Sequence, residues 1–271
     1  MNKFARLFRL SNCIMGVVGL ILGSLVASGT SIVDFPLPLS IASVIVFLFV
    51  AAGNSLNDYM DREIDKRAHP MRPIPAGLIS ADRVFAIAGA LFGACFVLSF
   101  FLNQISILIV VSAIVVMLLY EARLKREGLS GNLSIAWLTA ALFLLGGAVV
   151  VEVERTLIFA MMAFLATLGR EIVKDIEDME SDFNRRTLPM RLGKRKSGIV
   201  GSISFATAVA LSPVPYFTGA FGVEYLLMVV LADTIFIYCS IIHFQNPKRG
   251  QKVAKIGMMV ALLAFLVGGL L

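Results

Sequence analysis

Residues 39–65 read LSIASVIVFLFVAAGNSLNDYMDREID. The stretch 39–57 carries no charged side chain and is mostly apolar. About 20 such residues, wound as a helix rising 1.5 Å each, cross a hydrocarbon layer about 30 Å thick. The sequence then turns abruptly to Asp58, Asp61, Arg62, Glu63 and Asp65. An apolar span that ends in a row of acids points both to a membrane fold and to the place where chemistry belongs.

Working outward, apolar stretches of similar length recur at 11–29, 82–102, 104–120, 132–151, 156–175, 198–217, 222–244 and 253–271. With 39–57 they predict nine transmembrane helices in an all-α polytopic membrane protein, one domain covering 1–271. Spans three and four are parted by little more than Asn103 and Gln104, so a tight turn is required there. Composition agrees, with 58% hydrophobic and 15% charged residues and a mean hydropathy of +0.88. Soluble domains average about 45–50% apolar and about 25% charged, so an ordinary soluble enzyme, a disordered chain and a disulfide-stapled module are excluded. Cys13, Cys95 and Cys239 each sit alone in apolar sequence and read as small buried hydrophobes. The basic N-terminus runs straight into apolar sequence without a small-residue cleavage site, and reads as the lead-in to a retained first helix.

The net charge of +6 resembles a nucleic-acid footprint until its placement is followed. Nine spans put every Lys and Arg except Arg155 on one side of the membrane. That asymmetry predicts a cytoplasmic N-terminus and an outside C-terminus. The basic charge therefore lines a membrane surface, where attraction to anionic lipid explains part of it, and no nucleic-acid partner is expected.

The outward loops are short and poor in functional groups, whereas two inward segments carry dense acids. In the first, Asn57, Asp61 and Asp65 fall at i, i+4 and i+8, and Asp58, Asp61 and Asp65 at i, i+3 and i+7. In the second, Glu171 precedes Asp175, Asp178 and Asp182, again at i, i+3 and i+7. Positions three and four apart share a helix face, so each segment forms an acidic stripe that destabilises an isolated helix unless cations neutralise it. Magnesium suits such oxygen-rich ends, because it is held by a few carboxylates together with water and substrate phosphate oxygens. Arg72, Lys125, Arg170 and Lys174 lie near enough in sequence to meet a phosphate. The stiff loop His69–Gly77 is placed to hold Arg72 over the first stripe, with His69 as a loop hydrogen-bonder. Tyr120 either flanks a developing cation or sits as an interfacial aromatic residue. Asp233, inside span eight, is a costly ionisable group with no assigned role. A secondary transporter fits less well, since its acids belong near the membrane midplane. A structural scaffold leaves the acidic stripes as an unexplained cost.

Taken together, Asn57–Asp65, Arg72-Pro73, Lys174–Asp182 and Thr187-Leu-Pro resemble the UbiA superfamily of intramembrane prenyltransferases, over essentially the whole chain. Gly169–Asp178 and Arg72–Gly77 are most similar to its archaeal branch, which builds isoprenoid ether lipids. The resemblance implies two magnesium ions, held by Asn57, Asp61 and Asp65 on one side and Asp175, Asp178 and Asp182 on the other, bridging an isoprenyl diphosphate. Lys125, Lys174, Arg72 and Arg170 would neutralise the remaining phosphate charge. Turnover would depend on Asp61 and Asp175, with Tyr120 shielding an allylic cation. It further implies a geranylgeranyl donor and, as acceptor, the free glycerol hydroxyl of geranylgeranylglyceryl phosphate. An aromatic quinone precursor or a tetrapyrrole is the alternative acceptor. The active site is expected at the cytoplasmic side of the cell membrane.

Overall fold

The computed structural model describes residues 2–179 and 186–271. Among these residues nine helices are long and apolar enough to cross a membrane. A short helix α1 (Lys3–Phe8) leads into α2 (Leu10–Ser28) and α3 (Pro36–Met60), which is followed by the short α4 (Arg62–Ala68). Then come α5 (Ala81–Ser99), α6 (Gln104–Ala122), α7 (Leu129–Val149), α8 (Val153–Asp178) and the short α9 (Leu188–Leu192). The chain closes with α10 (Lys194–Leu211), α11 (Val214–Phe217), α12 (Val223–Ile242) and α13 (Pro247–Leu270). The nine expected spans are thus present, as an all-α bundle in a multi-pass membrane protein.

Local chemistry sets the ends. Pro36 and Pro247 open α3 and α13, where a missing N–H costs nothing. The tight turn between α5 and α6 rests on Asn103, whose side chain accepts from Ser106 N at 2.9 Å and donates to Ala148 O at 2.5 Å. The seventh span is interrupted at Pro213, which separates α10 from α11. The three cysteines are buried, and each thiol donates to a main-chain carbonyl. Large apolar side chains such as Leu108, Leu227 and Ile241 point outward, a pattern that suits lipid and not water.

Two helices are longer than their apolar stretches. At 26 residues, α8 extends about 39 Å, past the hydrocarbon layer. The acids at the ends of α3 and α8 therefore stand beyond the apolar zone while still riding on rigid helices.

α2 and α7 approach each other closely. A Cβ on Gly146 would lie 2.5 Å from both Leu20 O and Ser24 N, and Ser24 Oγ donates to Gly146 O at 3.0 Å. Alanine is the better helix former by about 1 kcal/mol, so an open site would be stabilised by Gly146→Ala. Here the clash is with backbone and cannot be relieved by a rotamer. Gly146→Ala is expected to lower stability by roughly 1–3 kcal/mol, read as a fall in Tm of the detergent-solubilised protein; an unchanged or raised Tm would show that the helices do not pack this closely.

Candidate active site

The first acidic segment is not one uninterrupted helix. α3 ends at Met60, Asp61 takes φ −93° and ψ 7°, and α4 begins at Arg62. The helical bonds Asp61 N to Asn57 O and Asp65 N to Asp61 O survive at 2.9 and 2.8 Å, so the kink is slight. It nevertheless parts the stripe into two sets of contacts. Asn57 Nδ2 donates to Asp61 Oδ2 at 3.0 Å. Asp65 instead turns to Arg72, 2.5 Å away, and Arg72 also lies 3.5 Å from Asp58. The loop thus holds Arg72 over the acids as its stiffness predicts.

Lys125 is the centre of the site. Its side chain is 3% exposed, with Nζ donating to Asp61 Oδ1 and to Glu121 Oε2, both at 2.7 Å. Glu121 also accepts from Asn57 Nδ2 at 3.2 Å, closing a ring of four side chains. A buried ammonium between two carboxylates is stable as a unit and costly to break.

Seven residues beyond Lys125, Asn132 Nδ2 donates to Asp175 Oδ2 at 2.9 Å in a buried contact. The α6–α7 connection therefore touches both acidic segments, Asp61 through Lys125 and Asp175 through Asn132. Its geometry demands small residues. Gly128 has φ 66°, and a Cβ there would lie 2.8 Å from Arg186 O. A Cβ on Gly131 would lie 2.9 Å from Leu124 O. Arg186 N donates to Arg126 O at 2.9 Å, tying the chain just before α9 to the same connection.

In the second segment Asp175 is buried, Asp178 is half-buried at the last turn of α8, and Asp182 lies outside the described residues. Lys174 is half-buried on the same helix. Arg170 ion-pairs with its neighbour Glu171. Tyr120 is half-buried on α6, one position before Glu121. Sequence reasoning missed three participants: Glu121, Asn132 and Arg9. Arg9 has a left-handed backbone (φ 50°) and donates to Asp58 at 2.6 Å and Asn57 at 3.4 Å. Asn132 had a visible signal, a carboxamide at the very start of an apolar span.

The donor set fits magnesium. The groups are carboxylate and amide oxygens, hard donors without a thiolate or imidazole among them. Among the described residues, no three Asp, Glu, His or Cys side chains converge into a ready-made cage. That suits an ion that completes its shell with water and substrate phosphates. Glu177 Oε2, in the second segment, is buried without a hydrogen-bond partner among the described residues, an arrangement a cation would relieve.

Deeper between α2, α7, α8, α10, α12 and α13 lies an apolar chamber of about 150 Å3, edged by Ala163, Ala166, Ala232 and Phe236. Asp233 sits on its wall, accepting from Ser212 Oγ at 2.6 Å. Tyr225 donates to the Ser212 carbonyl at 2.7 Å.

Comparison with known proteins agrees with this architecture. The UbiA prenyltransferase family profile matches residues 17–266. The digeranylgeranylglyceryl phosphate synthase of Methanosarcina mazei is 37% identical, over 98% of each chain. That of Methanosphaera stadtmanae is 32% identical over the full length of both. A solved structure of a digeranylgeranylglyceryl phosphate synthase superposes with a TM-score of 0.87 at 34% identity, covering 98% of this chain and 97% of the other. A UbiA homologue from Archaeoglobus fulgidus, bound to GPP and Mg2+, has a TM-score of 0.75 at 15% identity, over 98% of each chain, and shares the fold. A profile spanning nearly the whole chain, together with relatives above 30% identity end to end, establishes that the chain belongs to the UbiA prenyltransferase family.

Proposed function

We propose that this chain transfers a geranylgeranyl group from geranylgeranyl diphosphate to the free hydroxyl of geranylgeranylglyceryl phosphate, forming the second ether bond of archaeal membrane lipids. The observation that carries the reading is the α6–α7 connection, whose Lys125 and Asn132 reach one acid from each segment. Full-length similarity to synthases of that product supports the acceptor. The chain acts as a single domain, with its N-terminus and acidic rims at the cytoplasmic face, in keeping with the one-sided distribution of basic residues.

In this mechanism Asn57, Asp61 and Asp65, with Asp175, Asp178 and Asp182, would hold two magnesium ions. Bound there, magnesium supplies charge neutralisation of the diphosphate leaving group. Lys125 and Lys174 contribute ammonium donors to the same oxygens, and Arg72 a guanidinium. Arg170 joins them once the phosphate competes with Glu171 for it. As the C1–oxygen bond of the diphosphate breaks, the ring face of Tyr120 shields the allylic cation. The acceptor hydroxyl attacks C1, the ether forms, and the hydroxyl proton passes to the departing diphosphate. Apolar walls keep water from the cation, and the chamber edged by Ala163 and Ala232 takes part of the isoprenoid tail.

The test is incubation of purified protein with geranylgeranyl diphosphate, magnesium and a panel of acceptors, read by mass spectrometry. The expected product is the ether of geranylgeranylglyceryl phosphate, lost on chelation and restored by magnesium. A product formed only on an aromatic or tetrapyrrole acceptor would move the assignment to that chemistry, and turnover surviving thorough chelation would remove the metal site. The chamber carries a separate expectation. Ala163→Phe should shift preference from geranylgeranyl toward geranyl diphosphate by about tenfold, measured as the ratio of kcat/KM values; an unchanged ratio places the tail elsewhere.

A further inference from the structure

A groove of about 900 Å3 opens where α1 and the start of α2 face the loop after α4, and it is lined by Arg6, Arg9, His69 and Arg72 with Leu10 and Met71. Its cations are not equivalent. Arg9 and Arg72 are committed to Asp58 and Asp65 on the inner wall. Arg6 is half-buried and has no carboxylate partner among the described residues. Three guanidinium groups against two carboxylates leave the groove with net positive charge before His69 is counted. Holding several like charges together in a half-buried groove is unfavourable unless an anion enters it.

The groove also has a direction. Its inner wall adjoins Asn57, to which Arg9 donates, so a ligand seated there lies next to the acidic rim. Its outer lip continues down α2 as an exposed apolar track of Leu10, Ile14, Val18 and Ile21. Those positions repeat at helical spacing and face lipid. An anionic head with a hydrocarbon tail would place its head among the arginines and its tail along this track. Free phosphate would have no use for the track.

We infer that this groove binds the phosphate head of the acceptor lipid, with Arg6 as the residue that selects a phosphate-bearing acceptor. The inference rests on the proposed ether-forming reaction and adds to it the feature that separates a glycerol phosphate acceptor from an uncharged one. Arg6 offers a planar fork that matches phosphate oxygens, and His69 adds a donor at the rim. With the phosphate fixed there, the neighbouring glycerol hydroxyl is held toward the acids without any need for a polar pocket around the tail.

The test is steady-state kinetics of the full chain in lipid nanodiscs, comparing wild type with Arg6→Gln and Arg6→Lys. Two acceptors are used, geranylgeranylglyceryl phosphate and the same lipid without its phosphate. Arg6→Gln is expected to raise KM for the phosphate acceptor by about tenfold or more. KM for geranylgeranyl diphosphate should stay unchanged, and Arg6→Lys should recover part of the loss. Discrimination between the two acceptors should shrink in Arg6→Gln. Equal losses on both acceptors, or a rise in KM for the diphosphate, would overturn the inference. Millimolar inorganic phosphate should compete weakly; competition as strong as that of the lipid would make the groove a free-anion site. If wild type itself does not use the phosphate acceptor, the proposed reaction fails, an outcome distinct from a wild type that turns over and an Arg6→Gln variant that matches it.

Discussion

Asp61→Ala is expected to lower kcat/KM at least about a hundredfold, the scale on which a preorganised charge-stabilising group is lost. Asp61 is joined both to Asn57, at 3.0 Å, and to Lys125, at 2.7 Å. Removing it deprives the site of a metal ligand. It also leaves Lys125 leaning on Glu121 alone, which draws the ammonium away from the position a diphosphate would occupy. Two readings of Asp61 give different outcomes. As a structural partner of Lys125, its loss would chiefly lower Tm, and Asp61→Asn, which keeps a hydrogen-bond acceptor, would retain most activity. As a metal ligand, Asp61→Asn would be nearly as inactive as Asp61→Ala, with folding intact and a raised magnesium requirement. Activity, Tm and a magnesium titration on both variants separate the two. Near-normal turnover in Asp61→Ala would refute the assignment.

The nine spans were legible because hydrophobicity over about 20 residues is a local property that needs no partner. The tight turn at Asn103 was legible too, though not the bond from its side chain to the Ala148 carbonyl of α7, 45 positions away. The acids too were visible, as repeated spacing at the ends of two apolar runs. What could not be read was who neutralises whom. Lys125 and Asp61 are 64 positions apart, and no local pattern pairs them. Arg9 looked like one more basic residue attracted to lipid, yet its left-handed backbone aims it at Asp58. Arg170 was read as a phosphate ligand because it precedes the second segment. An adjacent carboxylate, Glu171, competes for it and holds it in the structure. The even helical stripe through Asp65 was also an idealisation. The kink at Asp61 divides it between Lys125 and Arg72.

Asp175→Ala carries the second large effect, expected to reduce turnover at least about a hundredfold. Unlike Asp61, Asp175 is buried on a helix, and Asn132 donates to one of its oxygens. That bond orients the carboxylate, as outer hydrogen bonds commonly do around metal ligands. Asn132 is therefore a positioning residue, and Asn132→Leu should act through Asp175, weakening magnesium affinity by about 10–100-fold with kcat largely recovered at high magnesium. In Asp175→Ala no magnesium concentration should restore turnover. The pair of variants thus distinguishes a ligand from its support. If magnesium rescued both alike, Asp175 would be no more than a part of the helix interface, and the rim on α8 would have to be rebuilt around Asp178 and Glu177.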